Sequence, residues 1–167
     1  HSSQLTAHSS QLTAHSSQLT AHSSQLILDF IIMLDFETTK DALLLLAKED
    51  SDIDALWIYG SYAKGNASES SDIDIAVLFS SYIDDVVDQR LRPEILTLDW
   101  IERLSLSHGD ISIIDLDTAP VPLAMGVLQT GKLLVNKSAS HEFNSSRIIM
   151  SKWELDYQYH YKTYGNQ

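Results

Sequence analysis

The sequence predicts an α/β domain of the α+β kind, a small mixed sheet flanked by helices. Short apolar runs at 55–59 (ALWIY), 73–79 (IDIAVLF) and 110–116 (DISIIDL) have the length and the β-branched and aromatic content of strands. Longer stretches with helix-like apolar spacing stand between and around them. Strands alternating with helices place helices over the faces of one sheet.

The first 26 residues repeat HSSQLTA with a period of seven and no variation between copies. Each unit carries a single Leu (Leu5, Leu12, Leu19, Leu26), whereas a coiled-coil seam needs two apolar positions per heptad. Residues 1–26 therefore read as an appended repeat, an artefact of expression or of the gene, and residues 27–167 as a single domain with a C-terminal helical tail. One His every seven residues (His1, His8, His15, His22) gives no convergent metal site. Met33 is the expected natural start, which leaves one compact domain. The run 26–34 (LILDFIIML) is too short, and too interrupted by Asp29, to span a bilayer, and no secretory cleavage pattern follows it. The expected location is the cytoplasm.

Residues 35–50 centre on Leu43 to Leu46 and suit a helix with one buried side. After the strand at 55–59 comes a Gly60-Ser61 turn with a helical stub near 62–65, and then a polar loop over 66–71. The second strand is 73–79. Residues 83–106 have helical spacing, and Pro93 should break or kink them. The third strand at 110–116 is entered through the turn pair His108-Gly109. A helix over 120–130 should stop at Gly131, and 132–135 supply a short edge strand. The tail from Ser140 to about Tyr164 is amphipathic. Its aromatics Trp153, Tyr157, Tyr159, Tyr161 and Tyr164 suit core packing and the covering of a partner.

The formal charge is −12, spread along the chain, and there is no cysteine. Disulfides and thiolate zinc sites are therefore excluded. An acidic body without a basic patch disfavours binding to nucleic acid backbones and favours a cationic partner: magnesium, a magnesium-bound nucleotide or a basic protein.

The chemistry concentrates in residues 60–77 (GSYAKGNASESSDIDIAV). Asp72 and Asp74, two apart at the start of a strand, project from one face, while Ile73, Ile75 and Val77 take the other and enter the core. Two carboxylates held side by side repel unless a divalent cation lies between them. Hard oxygen ligands favour Mg²⁺, which completes its shell with water and substrate phosphates. Gly60 lets a ligand approach backbone, and a turn opening a helix offers free N–H groups to phosphate. Ser61 adds a hydroxyl and Lys64 a cation within reach. Asp52 and Asp54 share the D-x-D spacing but lack the turn, and read as a polar loop.

Residues 60–77 resemble the signature of the DNA polymerase β-like nucleotidyltransferase superfamily: Gly-Ser, ten residues, Asp-x-Asp. The span 55–132 resembles its minimal nucleotidyltransferase (MNT) branch, to which the antitoxins of HEPN/MNT toxin–antitoxin pairs belong. The resemblance implies the nucleotidyltransferase fold, Mg²⁺ on Asp72 and Asp74, and ATP as substrate, its triphosphate on Gly60 and Ser61. It further implies transfer of AMP to a tyrosine of a HEPN-domain RNase toxin with release of pyrophosphate, and hence a hetero-oligomer. The same superfamily admits a small-molecule nucleotidyltransferase of the aminoglycoside-modifying kind, and a non-catalytic binding antitoxin. A third family carboxylate on the strand DISIIDL aligns with Ser112. Asp110, two residues earlier on the same face, is the candidate third metal ligand, whereas Asp115 faces the other way and reads as structural.

Overall fold

The computed structural model describes the backbone of residues 2–65, 67 and 71–164, and the side chains of these apart from 2–16, 29, 32, 34 and 160–164. The polar loop expected at 66–71 lies outside the described residues except for Ala67 and Ser71, as do His1 and the side chains of His8, His15, Tyr161 and Tyr164. The chain divides into two compact units, residues 1–38 and 39–167. The elements in order are α1 (Ser2–Glu49), β1 (Ile53–Tyr59), α2 (Ser61–Lys64), β2 (Ile73–Phe79), α3 (Val86–Leu104), β3 (Ile111–Asp115), α4 (Val121–Thr130), β4 (Lys132–Asn136) and α5 (Ala139–Tyr164).

The helix expected over 35–50 extends back through the heptad repeats. No Gly or Pro precedes Gly60, so the chain contains no strong breaker before β1. It ends where the Asp50 carboxylate accepts the Asp52 N–H at 2.9 Å, a side-chain turn that replaces the helical bond. Among the described residues no helix is long and apolar enough to cross a membrane.

The four strands form one mixed sheet in the order β3-β2-β1-β4. β2 runs antiparallel to β1 and parallel to β3, and β4 runs antiparallel to β1. Alternation then sorts the side chains. Ala55, Trp57, Ala76, Leu78 and Leu116 form one core with Ala124 and Val127 of α4 and Ile149 of α5. Leu56, Ile58, Ile75, Val77, Ile111 and Ile113 are buried on the opposite face, where α3 packs on β3 and contributes Leu96, Trp100 and Ile101.

Pro93 does not end α3, contrary to the expectation of a break. The helix begins at Val86, with the Asp85 carboxylate capping the Asp88 N–H at 2.9 Å. Thr97 Oγ1 returns a hydrogen bond to the Pro93 carbonyl at 2.7 Å. Burial of Leu96, Trp100 and Ile101 on one face holds the segment helical beyond the proline.

Asp52 and Asp54 are not a free loop either. Ile53 pairs with Phe79 and Ala55 with Leu78, which leaves Asp54 as the extra residue of a β-bulge. Its carboxylate accepts from Ser80 Oγ at 2.7 Å and meets His141 Nδ1 at 2.7 Å. The other ring nitrogen of His141 lies 3.0 Å from Asp117 Oδ2, and Ser145 Oγ donates to Asp117 Oδ1 at 2.6 Å. His141 thus fastens the start of α5 to β1 and to the loop after β3. Asp52 is ion-paired with Arg92, whose guanidinium lies 4.0 Å from the centre of the Phe79 ring.

Candidate active site

The site lies where β1 ends and β2 begins. Tyr59 is the last residue of β1 and pairs with Asp74. The chain then turns at Gly60, with φ 73° and ψ −148°, a conformation accessible in practice only to glycine. Ser61 opens the single turn α2, which closes with Lys64 N–H on the Gly60 carbonyl at 3.1 Å and ends at left-handed Gly65. Gly60 answers a second demand as well. A Cβ there would collide with Asp74 Oδ2 and approach Asp74 Cγ to 3.2 Å, so the carboxylate lies directly on the glycine backbone.

Asp72 immediately precedes β2, and Asp74 is its second residue. Ile73, Ile75 and Val77 are buried on the far side, which fixes the register and holds both carboxylates on the near face. The two carboxyl groups are close enough to repel one another when both are charged. Burial, then the charge and hydrogen bond of Asp72, push the Asp74 pKa up to about 6. Such a pair has the donor chemistry for a divalent cation, whose charge would relieve that repulsion.

Tyr59 belongs to this site and is not singled out by the motif. Its ring is half-buried, and burial followed by the charges of Asp74 and Asp72 pushes its pKa up to about 12. The phenol therefore stays an O–H donor beside the carboxylates. The available signal is positional: Tyr59 is the same-face strand residue next to Gly60.

β3 supplies the neighbouring edge. Its parallel register sets Ser112 beside Asp74, the position aligned with a third carboxylate. Continuing the register one position beyond the pair Ile73–Ile111 brings Asp110 level with Asp72. The Asp110 carboxylate accepts the Ser107 N–H at 2.7 Å, and its carbonyl accepts the Ile73 N–H at 2.9 Å. Among the described residues no three or more His, Asp or Glu side chains converge on one metal position. The structure thus brings together Gly60, Asp72, Asp74 and Tyr59, and places Ser61 and Lys64 on α2 next to them. It leaves the Asp110 carboxylate in its own turn. Asp115 is buried on the opposite face and caps the Asp117 N–H at 3.0 Å, a structural role.

The family model of the polymerase β nucleotidyltransferases matches residues 28–140. The chain belongs to that family. The protein adenylyltransferase MntA of Shewanella oneidensis is 29% identical over 94 residues, 56% of this chain and 62% of that protein. The chain thus spans less than two thirds of the length of that relative. Among solved structures, a toxin–antitoxin complex with AMP-PNP superposes with a TM-score of 0.57 at 21% identity, over 77% of this chain and 96% of the matched one. A tri-AMPylated Shewanella oneidensis HEPN toxin in complex with its MNT antitoxin gives a TM-score of 0.55 at 18% identity, over 78% and 96%. These likenesses establish the nucleotidyltransferase fold of the sheet and its helices.

Proposed function

We propose that this chain is the antitoxin of a toxin–antitoxin pair, a protein adenylyltransferase that moves AMP from ATP to a tyrosine hydroxyl of a HEPN-domain RNase toxin in the cytoplasm. The observation that carries this is the contact of the Asp74 carboxylate with the Gly60 backbone, which sets the aspartates beside a turn suited to phosphate. The relative named as an adenylyltransferase and the solved toxin–antitoxin complexes support the choice of acceptor.

Asp72 and Asp74 would hold Mg²⁺, with Asp110 a third ligand if its carboxylate leaves Ser107. The ion supplies charge neutralisation to the triphosphate and to the leaving pyrophosphate. Gly60 admits the phosphates against the backbone, the Ser61 hydroxyl and backbone donate to them, and Lys64 adds a cation at the end of α2. Tyr59 keeps its phenol protonated beside the aspartates. The acceptor tyrosine oxygen bonds to the α-phosphorus, the bond from that phosphorus to the bridging oxygen breaks, pyrophosphate departs and the phenolic proton is lost to solvent.

The test is to incubate the chain with ATP, Mg²⁺ and the toxin and to weigh the toxin after denaturing separation. A gain of one or more adenylyl groups, absent with Asp74→Asn, is the expected result. A toxin neutralised equally by wild type and Asp74→Asn without any adduct overturns the reading in favour of a binding antitoxin. Adduct formation on an aminoglycoside with none on protein overturns it in favour of a small-molecule enzyme.

A further inference from the structure

Helix α3 carries two apolar faces, and the fold uses one. Leu96, Trp100 and Ile101 are buried against the sheet. Val87, Leu91, Ile95 and Leu98 follow the spacing i, i+4, i+8, i+11, which makes one stripe on another side of the helix. They are 63%, 46%, 62% and 53% exposed, so the stripe has no cover in the described structure. Eleven residues of helix give it a length of roughly 16 Å. A row of four aliphatic side chains held open to water on a firmly packed helix marks a protein-binding surface.

Charge limits what can cover it. Asp88, Glu94 and Glu102 are exposed along the stripe. Of the arginines on α3, Arg92 is taken by Asp52 and Arg103 by Asp99, and Arg90 projects about a quarter turn away. The rim is therefore acidic, and a second copy of this chain would set one acidic rim against another. At its C-terminal end the stripe runs into a cavity of about 260 Å³ between α3 and β3. Leu98 belongs to both, and Ile101, Ile111, Ile113 and Ser112, the register neighbour of Asp74, are among the lining residues. The apolar row thus leads from open surface to the strand beside the aspartates.

We propose that the α3 stripe is the docking surface for the acceptor protein, which lays an apolar helix face rimmed by Lys and Arg along Val87 to Leu98 and anchors one side chain in the cavity at β3. This rests on the reading of the acceptor as a HEPN-domain toxin. Burial of the stripe supplies the attraction and the acidic rim the orientation. Docking beside β3, at the edge that carries Ser112, brings the acceptor to the end of the sheet where Asp72 and Asp74 stand.

The chain has no cysteine, so Ile95→Cys carries a single benzophenone label to be photolysed in the presence of toxin and mapped by mass spectrometry. In parallel, Leu91→Asp with Ile95→Asp, and separately Glu94→Lys with Glu102→Lys, are assayed for ATP binding, KM for toxin and kcat, with circular dichroism to verify the fold. The expected results are a cross-link to the toxin, a KM for toxin at least about tenfold higher in the Asp pair at near-constant kcat, and slower, less salt-sensitive association in the Lys pair. Cross-links between copies of this chain, or wild-type KM in both pairs while wild type modifies the toxin, overturn the docking surface alone. Wild type that neither binds nor modifies the toxin overturns the acceptor reading and the surface together.

Discussion

Gly60→Ala tests the geometry on which the site depends. The substitution meets two obstacles. Alanine at φ 73°, ψ −148° is strained by about 1–3 kcal/mol. Its Cβ also occupies the place of Asp74 Oδ2, so the carboxylate must retreat by about 1 Å. A displacement of that size at a reacting centre lowers the rate on the order of 100-fold. Gly65→Ala is the matched control. Gly65 has φ 77° and ψ 14°, and a Cβ there meets nothing within 4 Å. It costs about 1–2 kcal/mol of left-handed strain and leaves Asp74 where it is. Urea denaturation and pyrophosphate release should be measured on the same preparations. Both variants should lose comparable stability, and only Gly60→Ala should lose transfer. Equal transfer rates in the two variants would refute the claim that Gly60 is required by Asp74.

Three further outcomes are expected. Because the Asp74 pKa is raised above its unfolded value, metal-free protein should lose stability as pH rises from about 4 to 6; Mg²⁺ above pH 6 should raise the melting temperature of wild type and not of Asp74→Asn. Burial opposes the charged His141 ring, but the hydrogen bonds and charges of Asp54 and Asp117 outweigh it and raise its pKa, so its contribution is complete below about pH 6.5 and fades as pH climbs through the raised value. A melting profile in His141→Gln that falls over this range as steeply as wild type would remove His141 as the cause. Deleting residues 1–26 should leave pyrophosphate release unchanged, and a loss of activity would show that the repeats belong to the working protein.

The core strands and the aspartate pair were legible because both depend on local alternation: Ile73, Ile75 and Val77 can be buried together only if Asp72 and Asp74 point the other way. Gly60 was legible as a turn, but its contact with Asp74 depends on a pairing across thirteen intervening residues. Pro93 misled because the cost of a proline in a helix is local, whereas the burial of Trp100 and Leu96 that holds α3 together is tertiary. The roles of Asp52 and Asp54 were hidden for the same reason. Their partners Arg92 and His141 lie 40 and 87 residues away, and no spacing rule connects them. Asp110 illustrates the limit of face arguments. It lies on the expected strand edge, yet Ser107, three positions earlier, claims its carboxylate through a tight turn.

β1 and β2 are the two interior strands of the sheet, and both aspartates, Tyr59 and Gly60 belong to them or to the link between them. In a sheet the outer strands open first, while interior amides exchange with solvent only when most of the molecule comes apart. The groups proposed to act on ATP therefore reside in the most persistent part of the fold. Heat or denaturant should leave full turnover in every molecule that remains folded and none in the rest, with the slowest-exchanging amides of 55–59 and 73–79 lost in step with activity. A cell that degrades this chain whenever it unfolds would then remove only inactive molecules.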